Sequence, residues 1–186
     1  MKKILLTSSG FETEQILKAF LGLFEKAPSD IKALFVPTAA NAPDSDGIGV
    51  LPKCMNDLLK SGIPRKNISI FDLHCNMSFE ELKAYDVIYF TGGSPQYLIQ
   101  RINDTEFNVS LHQYIDNGGV YVGVSAGSLV ATNDVPQSLG LVNCTLGVHM
   151  PVGTESGEID TSENPHINLS AENALLITNK KVEVIV

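Results

Sequence analysis

Residues 119–131 have the sequence GVYVGVSAGSLVA, and this stretch decides the fold. Val120–Val122 is a short apolar run of the kind that forms a buried strand. Residues 123–127, GVSAG, follow at once, and the glycines on either side of Ser125 leave room for a sharp strand-to-helix turn. Residues 126–131 can form the next helix. This context predicts that Ser125 is a nucleophile, and the alternative interpretation is a tight turn with a capping serine.

The rest of the chain alternates apolar runs with helical patterns, which is the rhythm of a parallel sheet covered by helices on both faces. Further strands are predicted at Ile4–Leu6, Ala33–Val36, Ile68–Ile70 and Val87–Phe90, and helices at Glu12–Phe24, Leu51–Leu59, Gln96–Ile102 and Val109–Asp116. Later strand-like pieces are Leu141–Val148, Ile167–Leu169, Ala174–Ile177 and Val182–Val186, with a polar loop at Val152–Pro165. The pattern predicts an α/β fold in a single domain, residues 1–186.

The composition excludes several classes of protein. The chain has 186 residues, 44% of them hydrophobic, and its 13 basic and 21 acidic residues give a net charge of −8. This charge argues against a nucleic-acid or anionic-membrane partner, because both require a basic surface. No segment approaches the roughly 20 apolar residues of a membrane helix. The three cysteines indicate a reducing compartment. We expect a cytoplasmic protein without a metal or cofactor, since no His/Cys/carboxylate set has ligand spacing.

A second glycine turn follows the strand Val87–Phe90. Residues 91–95 are TGGSP, and glycines here let a backbone N–H group approach a ligand closely. Open α/β sheets bind ligands in the crevice beyond the carboxyl ends of their strands. We therefore expect Gly92 and Gly93 at the substrate site, with the N–H groups of Gly93 and Ala126 as an oxyanion hole. Taken alone, this motif would be a plain strand-to-helix turn.

A serine nucleophile needs a base within hydrogen-bond distance, and the chain has four histidines. His74 follows a strand in a polar turn and His112 lies on a predicted helix, so both are assigned structural or solvated positions. His149 ends an apolar run and His166 precedes another. Residue patterns alone leave both as candidate bases.

In combination, these segments resemble the peptidase E family of aspartyl dipeptidases, which are relatives of cyanophycinase. The similar segments are LLTSS at 5–9, FVPTA at 35–39, YFTGG at 89–93, GVSAG at 123–127 and TNDVP at 132–136. The resemblance covers nearly the whole chain. It implies a three-layer sandwich with a mostly parallel central sheet, similar to flavodoxin and class I glutamine amidotransferases. It also implies a cofactor-free serine hydrolase of short peptides, with a homodimer left open.

The resemblance also suggests roles for individual residues. The segment ending in Val148-His149-Met150 resembles the family's histidine segment, whereas His166 falls out of register with the later strand pair, so His149 is favoured as the base. Asp134 matches an acid assigned to the family's charge relay. Glu163 resembles a glutamate that could orient the histidine instead. The choice between these two acids stays open.

One segment departs from the family pattern and bears on specificity. Residues 150–162 are short and contain Glu155, Glu158 and Asp160 but neither lysine nor arginine. A cation is needed to bind a substrate aspartate. If this segment borders the cleft, its charge should disfavour aspartyl substrates. Lys53 or Arg101, brought to the cleft by the fold, would reverse that expectation.

Two other functions compete with peptide hydrolysis. The shortened segment and its missing cation are also consistent with a catalytically weak homologue that binds a small ligand or a partner. A glutamine amidotransferase would require a thiol, whereas position 125 is a serine.

Overall fold

The computed structural model describes residues 2–43, 47–179 and 181–186. Its strands are β1 (Lys3–Thr7), β2 (Ala33–Val36), β3 (Ile68–Ile70), β4 (Val87–Phe90), β5 (Val120–Val124), β6 (Thr145–Gly147), β7 (Gly157–Glu158), β8 (His166–Asn168), β9 (Ala174–Thr178) and β10 (Lys181–Ile185). Its α-helices are α1 (Glu14–Leu21), α2 (Val50–Lys60), α3 (Phe79–Leu82), α4 (Pro95–Asp104), α5 (Phe107–Asp116) and α6 (Ala126–Leu129). Within these ranges no helix has the length and apolarity needed to cross a bilayer.

Eight strands form one sheet in the order β3-β2-β4-β5-β1-β9-β10-β7. The five strands from β3 to β1 are mutually parallel. β9, β10 and β7 continue the sheet with antiparallel pairs. β6 and β8 form a separate parallel pair. The predicted α/β fold with a mostly parallel central sheet is therefore confirmed.

Helices cover both faces of this sheet because side chains along each strand point alternately to opposite sides. In β1, Leu5 packs with residues of α1 and α2, including Phe20 and Leu58. Its neighbours Ile4 and Leu6 belong to the other core, which includes Leu98, Ile102 and Leu111 of α4 and α5. Burial on both faces explains why the central strands are continuous apolar runs.

The register of the central strands determines where a site can form. Thr7 at the end of β1 pairs with Val124 of β5, and Phe90 at the end of β4 pairs with Gly123. The three strands thus end side by side. The segments that follow them meet at one edge of the sheet, which is where open α/β sheets bind ligands.

Several element boundaries differ from the sequence prediction. α1 begins at Glu14 rather than Glu12, because the Thr13 hydroxyl accepts the Ile16 N–H at 3.2 Å and caps the helix. Glu12 consequently lies in the loop before the helix. The short helix α3 was not predicted, although Ser78 and Glu81 form a capping box at its start.

The C-terminal part also differs. Only Thr145–Gly147 of the predicted strand Leu141–Val148 pairs as a strand, since its partner β8 is three residues long. The predicted loop Val152–Pro165 contains β7, which pairs with β10 at the edge of the main sheet.

Candidate active site

Ser125 occupies a strained turn between β5 and α6. Its torsions are φ 48° and ψ −104°, outside the helix and strand regions. Its N–H donates to the Thr7 carbonyl at 2.9 Å, which ties the turn to β1. The predicted sharp strand-to-helix turn is therefore confirmed.

The glycines around Ser125 are required by close backbone packing. A Cβ atom on Gly123 would lie 2.5 Å from the carbonyl oxygen of Gly127. A Cβ atom on Gly127 would lie 2.7 Å from the carbonyl oxygen of Phe90 on β4. Both separations are shorter than a carbon atom tolerates, so Gly123 is required by packing within the turn and Gly127 by packing of the turn against β4.

The structure places His149 beside Ser125. Ser125 Oγ lies 2.8 Å from His149 Nε2, within hydrogen-bond distance. His149 follows β6 and has a left-handed backbone with φ 59°, a conformation that costs a non-glycine residue of order 1–3 kcal/mol. Ser125 is half-buried and His149 is exposed, so the pair faces solvent.

The contact on the other nitrogen of His149 was missed by sequence reasoning. Ser8, the residue after β1, places its Oγ 3.4 Å from His149 Nδ1. The same oxygen accepts the His149 backbone N–H at 2.7 Å. Ser8 is buried and therefore holds both the ring and the backbone of the histidine. Ser8 lies in the segment LLTSS at 5–9, which is similar to the family, and this similarity was the signal that the sequence offered. No motif, however, assigns a role to that serine.

Neither acid proposed from the sequence contacts His149, and this expectation is corrected. Both oxygens of Asp134 accept the Leu146 N–H, at 3.0 and 2.9 Å, and Asp134 also accepts the Thr132 hydroxyl. Asp134 thus fixes β6, the strand that leads into His149. Glu163 is exposed and has no hydrogen bond or ion pair among the described residues. It lies in the loop before β8.

The alternative base, His166, lies in a different environment. It is the first residue of β8, and its Nδ1 is 2.9 Å from Thr145 Oγ1 across the small sheet. This contact holds the imidazole ring of His166 against Thr145 in the β6–β8 pair. Among the described residues, the histidine paired with Ser125 is His149.

The second glycine turn lies beside Ser125. Gly92 is close enough that an added Cβ would sit 3.4 Å from Ser125 Cβ, and its N–H interacts with the Cys54 thiol. Gly93 has φ 135°, and a Cβ there would collide with the Ala39 carbonyl oxygen at 2.1 Å. Ala126 is the first residue of α6, where a backbone N–H has no partner within the helix. In the described ranges the N–H groups of Gly93 and Ala126 have no protein acceptor.

A cavity of about 420 Å³ opens beside Ser125 and His149. Its wall includes Ser8, Ser9, Glu12, Gly47, Val50, Lys53, Cys54, Gly92, Gly93 and Val124. Burial raises the pKa of the Cys54 thiol to about 11. This thiol is therefore protonated at neutral pH, and Ser125 is the candidate nucleophile because its hydroxyl lies 2.8 Å from His149 Nε2.

The acidic segment 150–162 does not line the cavity beside Ser125, so the condition for its predicted effect on specificity is not met. None of its residues is among those that line the cavity, and Glu158 lies in β7 at the far edge of the sheet. Lys53 is the cation at the cavity wall. Arg101 instead donates to the Leu73 carbonyl and pairs with Asp104. The argument that the acids of segment 150–162 repel an aspartyl side chain therefore no longer applies.

A buried carboxylate supports the loop that carries Ser8. Asp57 Oδ2 accepts the Phe11 N–H and the Tyr89 hydroxyl, both at 3.1 Å. Tyr89 is fully buried in β4, and Phe11 lies three residues after Ser8. Asp57 thus connects the loop after β1 to the sheet and to α2.

Replacing Asp57 with alanine should lower the free energy of unfolding by about 1–3 kcal/mol, because the Tyr89 hydroxyl and the Phe11 N–H lose their acceptor. Urea denaturation followed by circular dichroism measures this change. An unchanged midpoint and slope would show that the network contributes nothing.

Asp57→Asn is the matched control, since an amide oxygen can accept both bonds without a charge. Burial raises the pKa of Asp57 above the ordinary 3.8, so the folded state disfavours the charged form. The wild-type protein should lose stability as the pH rises through the window between the ordinary and the raised pKa. The advantage of Asp57→Asn over wild type should grow with pH in that window.

Comparison with known proteins gives the site its context. The sequence profile of peptidase family S51 matches residues 4–139, well over half of the chain. The chain belongs to peptidase family S51. The matched range includes Ser125 and ends before His149.

Curated relatives of this S51 member are distant. An uncharacterized peptidase of Listeria monocytogenes is 24% identical over 172 residues, which are 90% of this chain and 79% of the relative. An uncharacterized peptidase of Pasteurella multocida is 23% identical over 135 residues, 73% of this chain and 62% of the relative.

Solved structures share the fold of this S51 member. A Listeria monocytogenes protein, crystallised as a candidate peptidase E, superimposes with a TM-score of 0.76 at 20% identity. The match covers 100% of this chain and 98% of the Listeria chain. A peptidase from an acI-B1 actinobacterium gives 0.63 at 15% identity, with 100% and 87% coverage. At 20% and 15% sequence identity, the structural similarity shows that the chain has the peptidase E-like α/β fold.

Proposed function

We propose that this S51 family member is a serine-type hydrolase of short peptides, with Ser125 as nucleophile and His149 as general base. The observation that carries the proposal is the 2.8 Å separation of Ser125 Oγ and His149 Nε2 beside a cavity of about 420 Å³. The strained turn at Ser125 supports it, because such strain collects at functional sites.

The proton transfers follow from the positions of the three side chains. With its proton on Nδ1, His149 presents the lone pair of Nε2 to the Ser125 hydroxyl. Ser125 Oγ attacks the peptide carbonyl, and Nε2 accepts the hydroxyl proton and later returns it to the leaving amine. Ser8 Oγ can accept from Nδ1, which keeps the imidazole in this tautomer.

The tetrahedral intermediate needs donors for its oxyanion. We assign this role to the N–H groups of Gly93 and Ala126, which have no acceptor in the described part of the protein. Ala126 directly follows Ser125 in sequence, and Gly93 lines the same cavity as Ser125. Removing one such donor typically costs about 10²–10³ in kcat. Gly92 is assigned to the substrate-binding wall, because its N–H is engaged by Cys54.

Ser8 takes the orienting position that an acid holds in serine hydrolases. Replacing Ser8 with alanine should lower kcat about tenfold with little change in KM, since one neutral hydrogen bond contributes roughly 0.5–1.5 kcal/mol. Steady-state hydrolysis of a short peptide measures the effect. Ser9→Ala is the matched control, because Ser9 lines the same cavity without a side-chain hydrogen bond among the described residues. Equal kinetics for the two variants would remove Ser8 from the mechanism.

A second candidate function is ligand binding by a catalytically weak homologue. It is favoured by one observation: no carboxylate contacts His149 in the described ranges. Serine hydrolases gain much of their rate from an acid that stabilises the charged imidazole. A hydroxyl at this place can orient the ring but supplies no charge.

A dipeptide library assay on the wild-type protein and Ser125→Ala separates the two functions. Hydrolysis of at least one dipeptide by the wild type, lost in the variant, supports the peptidase. Saturable binding of a dipeptide by both proteins without turnover supports the binding protein instead.

A further inference from the structure

Ser128 is a buried polar residue three positions after Ser125. It lies in α6, is fully buried, and its backbone N–H donates to the Ser125 carbonyl at 2.9 Å. Its Oγ accepts the Thr7 N–H at 3.0 Å and lies 2.8 Å from the carbonyl oxygens of both Thr7 and Gly123. A hydroxyl has one donor and two acceptor lone pairs, so this one shares its proton between the two carbonyls. One side chain therefore joins the ends of β1 and β5 to α6.

Thr7 adds further bonds to the same turn. Its carbonyl accepts the Ser125 N–H at 2.9 Å in addition to the Ser128 hydroxyl. Its own hydroxyl donates to the Gly123 carbonyl at 3.3 Å and accepts the Gly10 N–H at 3.1 Å. Thr7 and Ser128 are both fully buried, so solvent does not replace a bond that is lost between them. The two hydroxyls thus fix the backbone before and after Ser125.

The same residues are linked to the base. Ser8 directly follows Thr7, and its Oγ accepts the His149 N–H at 2.7 Å. Thr7 is therefore bonded to the backbone of the nucleophile and precedes the residue that holds the base. Through Thr7, Ser128 is connected to both members of the 2.8 Å contact between Ser125 and His149. Ser128 itself does not line the cavity.

The turn needs this support because neither of its parts is stable alone. Ser125 has φ 48°, and a non-glycine residue keeps such a conformation only where the surrounding structure imposes it. α6 is four residues long, which is too short for a helix to persist without tertiary bonds. The position of Ser125 Oγ relative to His149 therefore depends on the bonds that attach the turn to β1.

We propose that Ser128 is a positioning residue for the Ser125–His149 pair: its buried hydroxyl holds the strained turn against the end of β1 and thereby sets the separation of Ser125 Oγ and His149 Nε2. This inference rests on the proposed function and names a residue on which the rate depends. A misplacement of about 1 Å at a reacting group can cost about 10²-fold in rate. Substrate binding should be retained, because Ser128 lies outside the cavity wall.

Replacing Ser128 with alanine removes the hydroxyl and leaves the Thr7 N–H without this acceptor. We expect kcat for a short peptide to fall about 10–100-fold, with KM within about twofold of wild type. The rate constant for fluorophosphonate labelling of Ser125 should fall by a similar factor, because labelling needs the same nucleophile and base. The final extent of labelling should equal that of the wild type. A merely structural role would instead give fewer labelled chains at an unchanged rate constant.

Ser61→Ala is the matched control, because Ser61 is also a buried serine at a helix and its Oγ donates to the Leu58 carbonyl at 2.7 Å. Ser61 does not line the cavity, so its loss should leave kcat and the labelling rate constant at wild-type values. Ser128→Cys keeps a weak donor and acceptor at the same place and should recover part of the rate lost in Ser128→Ala. If the alanine variant does not fold, Ser128→Cys carries the test, with a labelling rate constant below that of the wild type as the expected result.

The outcomes separate this inference from the proposed function. Wild-type labelling kinetics in the Ser128 variants, or an equal loss in Ser61→Ala, would overturn the positioning role while the serine hydrolase stands. If the wild-type protein takes up no label on Ser125 and cleaves no short peptide, the proposed function fails and the positioning role fails with it.

Discussion

Ser125→Ala should lower kcat for peptide hydrolysis by about 10³–10⁶-fold, the range expected when the nucleophile of a serine hydrolase is removed. Ser125 Oγ is the atom that lies 2.8 Å from His149 Nε2, and the Cys54 thiol in the same cavity is protonated. The Ser8 hydroxyl also contacts His149, but it lies 3.4 Å from Nδ1 and already accepts the His149 backbone N–H. KM should change far less than kcat.

Ser9→Ala provides the control for this experiment, since it removes a hydroxyl from the same cavity wall. Thermal unfolding of both variants should stay close to wild type, because Ser125 is bonded to β1 through its backbone N–H rather than its side chain. A Ser125→Ala enzyme with more than about a tenth of wild-type kcat would contradict the assignment.

His149→Ala should reduce kcat to a similar level, because nucleophile and base act as a unit. The double variant Ser125→Ala/His149→Ala should then lose little beyond either single variant. Stopped assays with high enzyme concentration are needed to quantify these residual rates.

His166→Ala is the matched control for the base. His166 contacts Thr145 within the small β6–β8 sheet, so its loss should leave kcat within about twofold of wild type. Full activity in His149→Ala together with loss in His166→Ala would reverse the assignment of the base.

The sharp turn at Ser125 could be predicted because its signal is local. An apolar strand, two glycines and a serine are contiguous in sequence, and the packing of Gly123 and Gly127 explains why the pattern is needed. The central strands could be predicted for the same reason, since burial on both faces makes each an uninterrupted apolar run.

The partners of His149 could not be derived in this way. Ser8 is 141 residues away from His149, and their contact joins the loop after β1 to the segment after β6. The family resemblance implied a charge-relay role for Asp134, yet its oxygens accept the Leu146 N–H of β6. A carboxylate that lies near a histidine in the sequence can bind a backbone N–H group instead. The sequence alone does not show which of these two partners it binds.

The position of the acidic segment could not be predicted because it depends on long-range pairing. The acidic segment after His149 is close to it in sequence, but β7 pairs with β10 and leads the segment to the far edge of the sheet. Two charged residues that do line the cavity, Glu12 and Lys53, come from the loop before α1 and from α2. Of these two, the sequence pointed only to Lys53.

Labelling with a fluorophosphonate probe tests the central claim most directly, because the probe reacts with a serine only where a base activates it. Mass spectrometry of the intact wild-type protein should show one adduct, and digestion should place it on Ser125. Ser125→Ala should take up no label, and His149→Ala should react far more slowly. Absence of an adduct on the wild-type protein, or an adduct on a residue other than Ser125, would contradict the account.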